Sequence, residues 1–107
     1  MKLSSHRTLL WEILVPVCTN EGNTIPVSFH RRWDAGVEKI AGGLTILKST
    51  KGRWVGPDGT VFREKMIPVR IACTRAQIKE IAVMTLRVYQ QQAVAFSLVS
   101  QEHYVLQ

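Results

Sequence analysis

From Thr8 to Val17 the chain is apolar at nearly every position. Leu9, Trp11, Ile13, Val15 and Val17 fall on one side at period two, and Thr8, Leu10, Glu12, Leu14 and Pro16 on the other. Period two is the signature of a strand. The breakers Asn20, Gly22, Asn23 and Pro26 then make Thr19–Pro26 a loop. Phe29, Trp33, Val37, Ile40 and Ala41 recur at helical spacing with charges between them. Ser28 is the expected N-cap of that helix and Gly42-Gly43 its end. Leu44 to Ser49 reads as a second strand, with Lys51-Gly52 a candidate bulge before Arg53-Trp54-Val55. Gly56-Pro57-Asp58-Gly59 is a turn, because Pro presets φ and Gly accepts positive φ. Thr60 to Cys73 returns as the third strand. Thr74-Arg75-Ala76-Gln77 fits a capping box, and Ile78, Ile81, Ala82, Thr85, Val88 and Tyr89 form the inward face of a second helix. That helix ends near Gln90-Gln91-Gln92 without a glycine. Val94, Phe96 and Leu98 alternate into a fourth strand. Ser100 to His103 is read as a turn and Tyr104 to Leu106 as a short fifth strand.

The order β-α-β-β-α-β, with right-handed crossovers, predicts an α+β split βαβ, or ferredoxin-like, sandwich. Its antiparallel four-stranded sheet runs in the order 4-1-3-2, with two helices on one face. Pro16 and Pro68 then lie in the two central strands, which proline normally avoids. They have to sit at a strand end and a bulge. The helix-free face should be polar in a monomer. Here Leu10, Leu14, Met66 and Ala72 share it with Glu12, Glu64 and Arg70. A patch of that kind is usually covered by a partner, so Leu10, Leu14 and Met66 are the expected face of a homo-oligomer, a two-fold dimer being favoured.

Composition narrows the class. The 107 residues are 46% hydrophobic, enough for one domain with its own core and too apolar for a disordered tail. Residues 1–7 are polar and expected to fray. Glu12 interrupts the first apolar run, which is too short to span a membrane, so neither export nor insertion is expected. Cys18 and Cys73 are isolated, with no CxxC and no zinc spacing, which points to the cytoplasm and to no metal or cofactor. The net charge of +6 favours anionic partners, although the cations are spread along the chain.

Two basic clusters carry the candidate chemistry. The first is Ser28, His30, Arg31 and Arg32 at the start of the first helix. Cations there oppose the helix dipole, and an anion bound to the free N–H groups would offset that cost. The second is the hairpin, with Lys48, Lys51, Arg53, Trp54, Arg63 and Lys65. An aromatic among cations on a protruding ribbon suits nucleic-acid phosphates and bases. Nucleophilic catalysis finds little support: neither cysteine has a local activating base, and no catalytic residue is assigned. His30 with Asp34, and His103 with Glu102, are the only local acid–base neighbours that the sequence offers.

The stretch Gly42-Gly43-Leu44-Thr45, then Gly52-Arg53-Trp54, the Pro57-Asp58-Gly59 turn and Glu64, resembles small bacterial ferredoxin-like proteins of unknown function. These are turn and strand markers, so the resemblance implies a fold and transfers no active site. The combined reading is a cytoplasmic binding protein rather than an enzyme. It self-associates through its sheet and takes a small anionic ligand or a protein partner. A nucleic-acid module using the basic hairpin 48–65 is the alternative. A small dimeric α/β-barrel-like enzyme, with His103 or His30 as base, is the third.

Overall fold

Alternation along the chain is realised as a sheet with two unlike sides. A computed structural model describes residues 5–106, with the side chains of Ser5, His6, Trp54 and Phe62 outside the description. The elements run β1 (Ser5–Pro16), α1 (Val27–Ala41), β2 (Thr45–Ile46), β3 (Thr50–Val55), β4 (Val61–Ala72), α2 (Arg75–Val88) and β5 (Phe96–Leu106). The sheet order is β2-β4-β1-β5, with β3 also on β4 and every pairing antiparallel. This is the expected ferredoxin-like arrangement, with its outer strand split into β2 and β3.

Pro68 explains the split. In an antiparallel ladder a residue turns its N–H and C=O toward the same neighbour. The Pro68 carbonyl accepts from Leu47 N at 2.9 Å, so its missing N–H also faces the outer strand. The outer strand is interrupted there, at residues 47–49. Pro16 has the same parity in β1 as Leu14, whose N–H bonds to Ala95 O at 3.0 Å just before β5 begins. Its missing donor therefore points past the start of β5. Both prolines cost no rung of the central β1–β4 ladder.

Odd-numbered residues of the central strands enter the core. Trp11, Ile13 and Val15 from β1 and Val69, Ile71 and Cys73 from β4 and its end are buried beneath the helices. Trp33 and Val37 of α1 and Ile78, Ile81 and Ala82 of α2 meet them. Each such apolar side chain contributes about 1.5–3 kcal/mol. The helices approach closely at Gly36, where a Cβ would collide with Met84 Sδ. Across the same interface Trp33 Nε1 donates to Thr85 Oγ1 at 2.8 Å, and that hydroxyl donates to Ile81 O at 2.7 Å.

Several expectations are corrected. Helix α1 starts at Val27 after Pro26, and Ser28 lies inside its first turn without a capping bond. The fixed φ of proline suits a helix start. Ser5–Arg7 are not frayed but pair with Tyr104–Leu106; residues 1–4 lie outside the described part. Ser100–His103 do not turn: β5 is continuous, with register shifts near Thr8–Trp11 absorbing the irregularity. Helix α2 ends without glycine because Gln90 itself adopts φ 53°. Gln91 N then bonds Leu86 O and Gln90 N bonds Arg87 O, a Schellman arrangement. The Thr74–Gln77 capping box and the Gly42 C-cap at φ 89° form as expected.

Candidate functional sites

The chain direction sorts the molecule into two ends. Strand β1 finishes, α1 starts, α2 finishes and the β3–β4 hairpin projects at one end. The α1–β2 turn, the start of α2 and the last residues of β5 occupy the other.

At the second end a cavity of about 170 Å³ is lined by Leu10, Ala41, Gly43, Leu44, Thr45, Arg70, Ala72 and His103. Leu10, Arg70 and Ala72 come from even positions, so they belong to the helix-free face. Arg70 Nε donates to Glu12 Oε1 at 3.2 Å. That contact orients the guanidinium and leaves its terminal nitrogens available for a forked anion contact. Thr8, paired in register with His103, carries a buried hydroxyl without a hydrogen-bond partner among the described residues. The rim thus has an apolar floor, with the Arg70 guanidinium among its polar groups. Glu102 is not the partner of His103: it lies 3.8 Å from Arg7, both exposed.

The helix-free face beside this cavity carries Leu10, Leu14 and Met66, each half-buried, with buried Pro68 and half-buried Ala72. In register, Leu10 stands opposite Ala72, Leu14 opposite Pro68 and Pro16 opposite Met66. Strand β5 adds Ser97 and Ser100 to it, opposite Glu12 and Leu10, while Phe96 and Leu98 align with core residues Ile13 and Trp11.

The hairpin is the other constellation. Lys51 pairs with Lys65 and Arg53 with Arg63, while Gly52 pairs with Glu64. Parity puts all four cations on the helix side. It also puts both like-charge pairs at non-hydrogen-bonded positions, where side chains stand closest. Like charges directly opposite are destabilising, by roughly 0.2–1 kcal/mol per pair. Among the described residues none of the four has a carboxylate within ion-pair distance. A groove of about 370 Å³ runs along Lys51, Gly52, Arg53, Arg63, Glu64 and Lys65. Lys48 lies in the interruption of the outer strand, exposed, and the Trp54 side chain lies outside the described part. At the tip, Gly59 takes φ 86°, and the Asp58 carboxylate accepts from Thr60 N at 3.0 Å, which lowers its pKa.

The first-helix cluster divides. His30 Nδ1 and the Tyr89 hydroxyl are hydrogen-bonded at 2.7 Å, the histidine tautomer deciding which of them donates. One nitrogen of the His30 ring is therefore engaged with the end of α2. Ser28, Arg31 and Arg32 remain exposed at the start of α1, with the Arg32 guanidinium 5.2 Å over the Phe29 ring. Burial, with Asp34 nearby, pushes the Tyr89 phenol upward; burial likewise raises Asp34, against the opposing effect of His30. The phenol is almost fully enclosed, so this group locks two helices and offers no surface to a substrate. Burial also pushes the Cys73 thiol up to about 11, keeping it protonated and unreactive at neutral pH. Among the described residues, Cys18 and Cys73 are free, and no three His, Cys, Asp or Glu side chains gather as a metal site.

No family model matches the sequence, and no curated protein matches it significantly. Solved structures do resemble it. A phage SAM lyase in complex with S-methyl-5'-thioadenosine superposes with a TM-score of 0.67 at 10% identity, over 98% of this chain and 93% of its own. The divalent cation tolerance protein Cut A1 from Thermus thermophilus gives a TM-score of 0.61 at 10% identity, over 89% of this chain and 84% of its own. CutA1 from Oryza sativa gives 0.61 at 11%, over 88% and 79%. The likeness carries the ferredoxin-like fold alone. No helix of the described residues is long and apolar enough to cross a membrane.

Of the residues that form the rim, Arg70 and His103 stand out in the sequence only singly. Gly43 and Thr45 read there only as a helix end and a strand, and nothing local joins them to Arg70 or His103, because that proximity depends on the β2–β4, β1–β4 and β1–β5 registers.

Proposed function

We propose that the protein is a self-associating binding protein. It meets a second copy through its helix-free face and takes a small anionic ligand in the rim cavity. The observation that carries this reading is the apolar centre of that face, Leu10, Leu14, Met66, Pro68 and Ala72, with no helix over it. The seven rungs that join Leu10–Pro16 to Met66–Ala72, at about 3.4 Å each across four strands about 4.8 Å apart, give roughly 460 Å². An apolar patch of a few hundred Å² is the kind that marks an interaction site. A second copy on this face also closes the cavity, whose Leu10, Arg70 and Ala72 wall belongs to it. The ligand implied is a carboxylate or phosphate with a small apolar body, the anion on Arg70 and the body on Leu10, Leu44 and Ala72.

Sedimentation velocity tests the assembly. Wild type is expected to sediment as two or more copies, and Leu14→Glu as one copy that keeps the wild-type circular dichroism spectrum and melts at a temperature independent of its concentration. A wild type that stays a single chain at every concentration overturns it. Thermal shift tests the ligand with phosphate monoesters, short carboxylates and S-methyl-5'-thioadenosine, the compound held by the similar phage lyase. A ligand at a hundred times its Kd adds about 2.7 kcal/mol. That gain should vanish in Arg70→Gln; a gain that survives the substitution places the ligand elsewhere.

A further inference from the structure

Beyond Met66 the hairpin stands alone. Strand β1 stops at Pro16, opposite Met66, and Val17 adds one last bond to Lys65 O at 3.2 Å. From there to the Gly56–Thr60 turn, β3 and β4 form a two-stranded ribbon with no third strand on either edge among the described residues. Five residues on each side span about 17 Å. The ribbon's helix side carries Lys51, Arg53, Arg63 and Lys65 in two facing rows, with Glu64 on the opposite side. Two hydrogen bonds tie its base to the first helix: Val17 N to Lys65 O, and Ile25 N to Val17 O at 3.1 Å. Ile25 lies two residues before Val27, where α1 begins. The exposed Arg31 and Arg32 therefore stand at the same end and on the same side of the sheet as the ribbon cations. Basic clusters about twenty residues apart in sequence are thereby brought to one end and one side of the sheet.

We infer that this surface binds the phosphate backbone of duplex nucleic acid, with the β3–β4 ribbon entering a groove and Arg31 and Arg32 reaching the flanking phosphates. The major groove of B-form DNA, about 12 Å wide, admits a two-stranded β-ribbon. Facing rows of unpaired cations gain from a partner with a charge on each of its two walls. The paired Val55 and Val61 share the cationic side at the ribbon tip and are exposed, so a lipid surface is the competing partner that the vesicle arm of the test decides. Contacts to phosphates specify position and not sequence, so binding is expected to be indifferent to sequence.

Fluorescence anisotropy with a labelled random duplex, titrated at rising salt, tests this. Four ribbon cations give a slope of log K against log salt of about −3.6, and six give about −5.4. Between 50 and 200 mM salt the smaller slope is a loss of about 150-fold. Arg53→Gln with Arg63→Gln should flatten the slope by about 1.8, as should Lys51→Gln with Lys65→Gln, both pairs keeping the wild-type melting curve. Arg31→Gln with Arg32→Gln should flatten it similarly. No binding at 50 mM salt overturns the inference, as does a slope that none of these pairs changes. Polyglutamate or phosphatidylserine vesicles that compete as well as duplex of equal charge also overturn it, since the partner is then any polyanion or a lipid surface.

Discussion

Replacing Arg63 with Glu should tighten the ribbon while weakening its hold on polyanions. Arg63 stands opposite Arg53 at a non-hydrogen-bonded position, two residues from the Lys51–Lys65 pair. The substitution removes one like-charge pair and installs an opposite-charge pair. Each change is worth roughly 0.2–1 kcal/mol, so the ribbon gains about 0.4–2 kcal/mol. Global melting is a poor readout, because a ribbon without a third strand opens locally at lower free energy than the core. Amide hydrogen exchange at Gly52 and Glu64 is the suitable assay, since parity places both in the hydrogen-bonded pairs of the ribbon. Their exchange should slow by roughly two- to thirty-fold at low salt. At 1 M salt the screening length is about 3 Å, shorter than the pair separation, and most of the difference should disappear. Exchange that is unchanged or faster in Arg63→Glu at low salt would show that these cations do not repel one another, removing the physical reason for a bound anion there.

Two further outcomes follow from the core. Thr85→Val removes the acceptor of Trp33 Nε1 while keeping side-chain shape; a buried N–H left without a partner costs about 1–3 kcal/mol in urea denaturation, and Thr85→Ser, which keeps the hydroxyl, should restore most of it. The Cys73 thiol, held at about 11 against an ordinary 9.0, makes the unfolded chain release its proton first as pH rises. Stability is complete below pH 9 and falls by about 1.4 kcal/mol per pH unit up to pH 11. Cys73→Ala, less stable overall, should lack that slope. In both chains Tyr89, raised by burial, adds its own loss above pH 10.

Element order, the α2 capping box, the Gly42 stop and the Pro57-Asp58-Gly59 turn are legible in the sequence because each is decided within a few residues. Alternation in β1 and β4 likewise separates core from open face before any contact is known. What escapes is set by pairing. Pro68 reads as an objection to a central strand until the ladder shows which neighbour its missing N–H faces. Ser100–His103 read as a turn because polar residues at a barely covered strand lack apolar alternation; their pairing with β1 decides the matter. Ser28 reads as a cap because serine commonly is one, yet Pro26 starts the helix first. His30 and Tyr89 are 59 residues apart, and nothing local connects them. The rim cavity and the joined basic surface are invisible for the same reason.

The proposed assembly face and the proposed polyanion surface do not compete, and strand parity is why. On β4 the even residues Met66, Pro68, Arg70 and Ala72 face the open side, and the odd residues Arg63 and Lys65 face the helix side. A second copy packed on the open face therefore covers Leu14 and closes the Arg70 cavity while leaving the cationic rows in solvent. Apolar packing changes little with moderate salt, whereas phosphate contacts release counterions and weaken steeply. Assembly and polyanion binding are thus separable by ionic strength on the unmodified protein. An assembled pair carries two cationic ribbons, and tethering raises the effective concentration of the second wherever a long duplex can reach both. The unfavourable charge rows are tolerated because they lie beyond the last rung of β1, where repulsion strains a free ribbon and spares the core.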